Sequence, residues 1–234
     1  ALDTAVSRAL LLRASNGEVG ETFRLHVPGN IVAFGKRDTL EAGYPAAVDV
    51  ARQRNFAPIE RLAGGRAAVF TRSTLAFAWT VPDPDPRSGI YPRFRALSSL
   101  MVDAFARLGV TSEVGELPGE YCPGDYSVHH GGRIKLMGVG QRLARRAAHV
   151  GGVVVVDHSS EVRSILDDIY AALDLDWDPA TAGALTDVHP DITVDAAAAA
   201  IVSEIEARRG VEPGAIEPAT ITLAASLASD HVPA

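Results

Sequence analysis

The chain has 234 residues, 47% of them hydrophobic and 22% charged, with a formal net charge of −7. Such a profile fits a globular protein with one sizeable core, and its acidic balance argues against nucleic acid, whose phosphates require a basic face. A single cysteine leaves no internal disulfide framework and no apolar run approaches the roughly 20 residues that cross a bilayer, so a cytoplasmic protein without a membrane partner is expected.

The opening ALDTAVSRALLLRA has amphipathic helical spacing over residues 1–14 and lacks the basic leader of a signal peptide. TFRLHVP and NIVAFGK are expected as strands around the turn Pro28-Gly29-Asn30, and PAAVDVARQRN as a helix with Arg52 and Arg54 toward solvent. IERLAGG and RAAVFTRSTLAFAWTVP predict two or three strands joined at Gly64-Gly65. A glycine pair there either closes a tight hairpin or lets backbone amides approach a ligand closely. PDPDPRSG must be a loop, and YPRFRALSSLMVDAFARLG a helix that stops at Gly109.

TSEVGEL predicts a short strand, and VGGVVVVD a buried one. SSEVRSILDDIYAAL reads as a helix capped by Ser159 or Ser160. Beyond about residue 174 come loops, one helix over 194–209, and a tail around 212–234 expected to pack only loosely. Arg142, Arg145 and Arg146 recur at helical spacing in QRLARRAAH, either a solvated helix face or a docking patch for an acidic partner or anionic carrier. Strands dominate the middle and helices the edges, which predicts an α+β fold and no alternating dinucleotide-binding architecture.

Gly138-Val139-Gly140 lacks the third glycine of a nucleotide fingerprint, and no Walker phosphate loop is present. Cys122, His129, His130, His149 and His158 do not have zinc-site spacing, so no metal is expected. The stretch GEYCPGDYSVHHGGRIKLMG (119–138) is more informative. Arginine occurs twenty times and lysine only at Lys36 and Lys135, yet Lys135 shares this stretch with the sole cysteine, Cys122. A thiol in a polar turn is open to activation, and an amine among apolar neighbours has an adjustable pKa.

RLAGGRAAVFTRSTLAFAWTVP resembles the arginine-x-x-glycine-glycine segment of the biotin and lipoate protein ligase/transferase family. GRIKLMGVGQRLARRAAHVGGVVVV is similar to that family's lysine segment, with Lys135 three positions before Gly138. The order of elements agrees over roughly residues 1–175. EYCPGDYSV resembles the branch of cysteine-dependent octanoyl/lipoyl transferases, which move an octanoyl or lipoyl group from the glycine cleavage H protein to lipoyl domains of 2-oxoacid dehydrogenases. Two positions depart from the family pattern: Arg66 stands where a third glycine is usual, and Thr71 where ligases carry a histidine.

The resemblance implies a class II aminoacyl-tRNA-synthetase/biotin-protein-ligase-like mixed antiparallel sheet flanked by helices. It implies a catalytic domain over 1–175 followed by a C-terminal helical extension over 176–234. In this scheme Cys122 carries the acyl group as a thioester. Lys135 hydrogen-bonds the acyl carbonyl and lowers the thiol pKa. Arg61, Gly64, Gly65 and Gly138 lie beside the acyl group, and Leu75, Phe77 and Leu136 are expected to line its apolar slot. The acyl donor would be the H protein or an acyl carrier protein, with no cofactor required. The alternatives are an ATP-dependent lipoate-protein ligase, which alone would need ATP and Mg, and a non-catalytic acyl-binding or carrier-binding protein. An unrelated thiol hydrolase or amidase is disfavoured because no His-Asp partner arrangement is legible.

Overall fold

In a computed structural model, the structure describes residues 1–233. In chain order the elements are α1 (Leu2–Ser15), β1 (Thr22–His26), β2 (Ile31–Phe34), α2 (Tyr44–Gln53), β3 (Ala57–Glu60), β4 (Ala68–Phe70) and β5 (Thr74–Pro82). They continue as α3 (Ile90–Arg107), β6 (Glu113–Val114), β7 (Val128–His130), β8 (Ile134–Leu143), β9 (Ala147–Val155), α4 (Ser159–Ala172), α5 (Val194–Arg209) and α6 (Pro218–Leu227).

Six strands form an antiparallel sheet in the order β1-β5-β9-β8-β7-β6. A second sheet, β3-β2-β4, is mixed: β2 runs parallel to β3, with α2 as the crossover, and antiparallel to β4. Large and small side chains alternate along β5, and that alternation assigns its two faces. Leu75, Phe77 and Trp79 pack beneath α3 and α5, joined by Val150 and Val154 of β9. Each such fully buried side chain contributes roughly 1.5–3 kcal/mol. Ala76 and Ala78 face the other way, where their small size admits a cavity against the second sheet and α1. That second sheet shares its own core with α2 and α4.

Four expectations are corrected. QRLARRAAH is not helical: its residues close the β8–β9 hairpin, in which Gln141 pairs with Val150 and Leu143 with Ala148. The β-branched run that follows in β9 favours a strand, and a strand needs its antiparallel partner beside it. The strand expected over IERLAGG ends at Glu60, and Arg61–Gly65 leave the sheet as a loop. Helix α4 is entered from His158, which occupies a left-handed conformation (φ 55°), so neither serine is its N-cap. The tail is fastened from α6 onward: α6 packs on α1 around Ala224, and His231 Nδ1 bonds the Glu60 carbonyl at 2.8 Å, while residues 211–217 before it are exposed. Arg13 of α1 reaches Glu217 at 2.7 Å and Thr220 at 2.6 Å, fastening the start of α6.

Packing continues across residue 175. Trp177 meets Tyr121 edge-on at 6.1 Å, Ala182 forms a parallel bridge with Lys135, and Gly183 donates its N–H to the Lys135 carbonyl at 3.1 Å. Residues beyond 175 therefore cover the lysine that sequence reasoning placed in the first domain.

Candidate active site

The loop between β6 and β7 carries Cys122 and is organised by a buried carboxylate. Glu120 Oε1 accepts from Ser127 Oγ at 2.7 Å and from Gly124 N–H at 3.0 Å, and it pairs with Lys135 Nζ at 3.3 Å. Both side chains of the Glu120–Lys135 pair are fully buried. Lys135 also donates to the carbonyls of Tyr121 and Cys122, each at 2.9 Å, and lies 4.6 Å from the Tyr121 ring centroid. One ammonium thus holds three consecutive residues, 120 to 122. The three-residue spacing to Gly138 has a steric cause: a Cβ at Gly138 would sit 3.2 Å from Lys135 Cε. Glycine leaves the room the amine occupies.

Cys122 itself adopts a left-handed backbone (φ 44°), a conformation that costs on the order of 1 kcal/mol outside glycine. Its N–H donates to Tyr170 Oη at 2.7 Å, and Tyr170 donates onward to the Ala67 carbonyl at 3.2 Å. The thiol is half-buried. Sγ accepts from Arg66 N–H at 3.2 Å and lies 3.5 Å from Arg61 Nη1. Gly65 permits this approach. Its φ is +116°, and a Cβ there would stand 2.7 Å from Sγ.

Arg66 takes the place of a further glycine without blocking the site, because its guanidinium turns away to Asp38 (3.3 Å) and Glu41 (2.6 Å) while its amide faces the sulfur. Asp38 is itself fully buried and accepts Gly35 N–H at 2.7 Å.

Burial pushes the Cys122 thiol up, but the Arg61 guanidinium, then Lys135 and the Arg66 N–H bond, outweigh it, and the net shift is downward. The thiolate is therefore the favoured form at lower pH than for a free cysteine. Replacing Arg61 with glutamine is expected to move the midpoint of Cys122 alkylation to higher pH and to slow alkylation at neutral pH by roughly tenfold. An iodoacetamide pH–rate profile checks this; an unchanged midpoint would remove Arg61 as the thiolate's partner.

Two cavities flank this cluster. The outer one, about 390 Å³, contains Cys122, Gly64, Gly65, Gly140 and Gln141 with an apolar wall of Ile90, Phe94, Val139 and Leu143. Phe94 stacks on Tyr126 at 4.9 Å to form part of that wall. The inner cavity, about 100 Å³, lies between the two sheets and is lined by Ala33, Ile59, Phe70, Ala76, Phe77, Ala78 and His149. Arg61 joins them, since it touches Sγ and also lines the inner cavity.

Of the residues expected from the sequence, the structure brings together Cys122, Lys135, Arg61, Gly64, Gly65 and Gly138. Phe77 borders the inner cavity but belongs to the core beneath α3 and α5. Leu75 and Leu136 do not reach either cavity and lie in the core beneath α3 and α5. Glu120, Tyr170, Asp38 and the Arg66 amide were not anticipated. The only signal for Glu120 is an acidic residue two positions before the cysteine, one of three in the same polar turn with Glu116 and Asp125. The histidines are dispersed: His129 and His130 on β7, His149 on β9, His158 before α4. Among the described residues no group of three or more His, Cys, Asp or Glu could hold a metal ion.

His149 is buried, its Nδ1 has no partner among the described residues, and burial, with Arg24 and Arg61 nearby, pulls its pKa down to about 4 from 6.5. The unfolded chain therefore binds a proton here that the folded chain refuses. Stability is retained above pH 6.5 and lost as pH falls toward 4, by about 1.4 kcal/mol per pH unit and about 3 kcal/mol in all. Urea unfolding at several pH values should show this slope, and His149→Gln should flatten it; equal slopes would refute the assignment.

The same architecture occurs in lipoate protein ligases of known structure. Lipoate-protein ligase A bound with ATP superposes with a TM-score of 0.76 at 17% identity, covering 97% of this chain and 88% of that one. A bi-partite lipoate protein ligase from Thermoplasma acidophilum gives 0.72 at 17% identity, covering 96% and 87%. The fold is thus that of the lipoate-ligase class, a mixed α+β domain with an antiparallel sheet flanked by helices. Within it, the chain belongs to the lipoyl protein ligase A/B catalytic domain family, whose model matches residues 1–206.

Among curated relatives, the octanoyl-[GcvH]:protein N-octanoyltransferase of Geobacillus kaustophilus is 30% identical over 162 residues, 69% of this chain and 57% of its own length. The Bacillus velezensis protein of the same name is 26% identical over 219 residues, 88% and 76% of the two lengths. The chain thus spans little more than half the length of the Geobacillus relative.

Proposed function

We propose that this protein transfers an octanoyl or lipoyl group to the lysine of lipoyl domains through a thioester on Cys122. The observation that carries the reading is the Cys122 sulfur itself. It is the sole thiol, with a depressed pKa, placed against Arg61 and the Arg66 amide on the wall of an open pocket. The names of the curated relatives support the same acyl group and the same transfer.

The thiolate attacks the carbonyl of an acyl-lysine amide on the donor. The C–N bond breaks, the donor amine leaves with a proton from water, and a C–S bond remains. The acceptor amine then attacks the thioester, the thiolate departs, and the surplus proton returns to solvent. An amide is exchanged for an amide, so neither ATP nor metal is needed. The amides of the Gly65–Arg66 turn and the Arg61 guanidinium flank the carbon under attack and stabilise its oxyanion. Lys135, bonded to the carbonyl of Cys122, adds positive charge at the same residue.

The acyl tail enters the inner cavity past Arg61. The walls that Ala33, Ile59, Phe70 and Ala78 give that cavity are apolar, as a hydrocarbon tail requires. The outer pocket is left for the lysine arms of donor and acceptor. A glycine cleavage H protein is the preferred donor, an acyl carrier protein the other candidate. Catalysis rests on residues 1–175 with the cover supplied by Trp177 and Ala182. No helix among the described residues is long and apolar enough to cross a membrane, and a working free thiol suits the reducing cytoplasm.

Incubation with octanoylated H protein should give an octanoyl adduct on Cys122 by intact-mass and peptide mass spectrometry, discharged by hydroxylamine and by a lipoyl domain. Transfer that occurs only with ATP, with no such adduct, would overturn the reading in favour of a ligase.

A further inference from the structure

The β8–β9 hairpin ends in Arg142, Arg145 and Arg146, all three exposed. None of their guanidinium groups has a hydrogen-bond or ion-pair partner among the described residues; Arg146 is engaged only through its backbone. Of the other seventeen arginines ten are ion-paired with carboxylates among the described residues, and the seven that are not lie singly along the chain, with no second such cluster. Three like charges within five positions repel one another, and among the described residues no carboxylate pairs with them, although the chain as a whole carries −7. The hairpin is also placed at the reaction. Gln141 and Leu143 line the outer pocket that contains Cys122, and across that pocket Tyr91 stands 62% exposed. Arginine and tyrosine around an apolar recess are the residue types that anchor protein interfaces.

We propose that the arginine-tipped hairpin is the docking surface for an acidic protein domain, the folded domain that presents the acyl-lysine or the acceptor lysine to Cys122. This rests on the acyl-transfer reading and specifies how its partner is recognised. The guanidinium groups lie outside the pocket and do not converge in a cavity, which suits an extended acidic face rather than a small anion. Against a net charge of −7, three arginines are too few to hold a nucleic-acid backbone. Steering by such a patch acts on encounter and is screened by salt, whereas chemistry at the sulfur is not.

The test compares the wild type with Arg142→Glu/Arg145→Glu/Arg146→Glu and with the corresponding triple glutamine variant. Titration calorimetry with octanoylated H protein and with a lipoyl domain, at low and high salt and with Cys122→Ala added to each of the three proteins, reads binding without chemistry. The charge-reversed protein should bind on the order of 100-fold more weakly and the glutamine protein about tenfold more weakly at low salt, with the salt dependence of binding flattened in both. In transfer assays KM should rise in parallel while kcat stays within about twofold. Affinity and salt dependence unchanged from wild type would overturn the docking surface. Acylation of Cys122 by a small octanoyl thioester, S-octanoyl-N-acetylcysteamine, should be equal in all three proteins. A variant that loses this acylation too would show that the arginines act on the site and not on docking. Absence of acylation in the wild type would count against the thioester reading, while the calorimetry still decides the docking surface.

Discussion

Cys122→Ala is expected to lower octanoyl transfer on the order of 10⁴-fold while leaving the fold intact. The residue is half-buried at the edge of the core beneath the second sheet, and a methyl group keeps part of that packing. The backbone of residue 122 is fixed by Tyr170 Oη on its N–H and by Lys135 on its carbonyl, neither of which depends on the side chain. Alanine is as strained as cysteine at φ 44°, so that cost cancels. What disappears is the covalent route. Cys122→Ser separates geometry from ionisation: the hydroxyl keeps the position of the sulfur but stays protonated at neutral pH, so Arg61 and the Arg66 amide have no anion to stabilise. Serine should therefore fall with alanine, and neither variant should accumulate an acyl adduct. Transfer assays beside thermal melts check both halves. Activity within tenfold of wild type in the alanine protein would end the nucleophile assignment.

Much of this arrangement was readable in the sequence because it rests on local patterns. Helical periodicity located α1, α2, α3, α4 and α5 to within a few residues, since one face of each must be apolar to bury. The rarity of lysine and cysteine singled out Lys135 and Cys122 before any contact was known. What failed was whatever depended on the partner strand. QRLARRAAH has helix-like spacing, and only its pairing with the β-branched run of β9 makes it a hairpin. Leu75, Phe77 and Leu136 were indistinguishable as slot residues. Which face of β5 meets a cavity is set by the alanines between them and by the sheet packed opposite. Glu120 was invisible because its role comes from a lysine fifteen positions on and from Trp177 and Ala182 beyond that, contacts no short window contains.

Lys135→Met is expected to destabilise the protein by about 3–5 kcal/mol, because it leaves the buried Glu120 carboxylate without its cation. The carboxylate would keep Ser127 and Gly124 as donors, but its Oε2 already has no partner, so no further contact is available to offset the loss. Glu120→Gln removes the charge and keeps an oxygen for Ser127 and Gly124, so its cost should be smaller. The double variant should be more stable than the sum of the two changes by at least about 1 kcal/mol, since two residues in one buried network do not act independently. Urea denaturation of the four proteins measures that coupling, and additivity would mean the pair does not hold the loop. The thiol supplies a second readout that general loss of stability cannot imitate. Lys135 lowers the Cys122 pKa, so its removal should move the alkylation midpoint up. Removing the negative charge of Glu120 should move that midpoint down. Opposite displacements in two variants that both weaken the loop would establish that the buried pair sets the charge on the sulfur as well as its position.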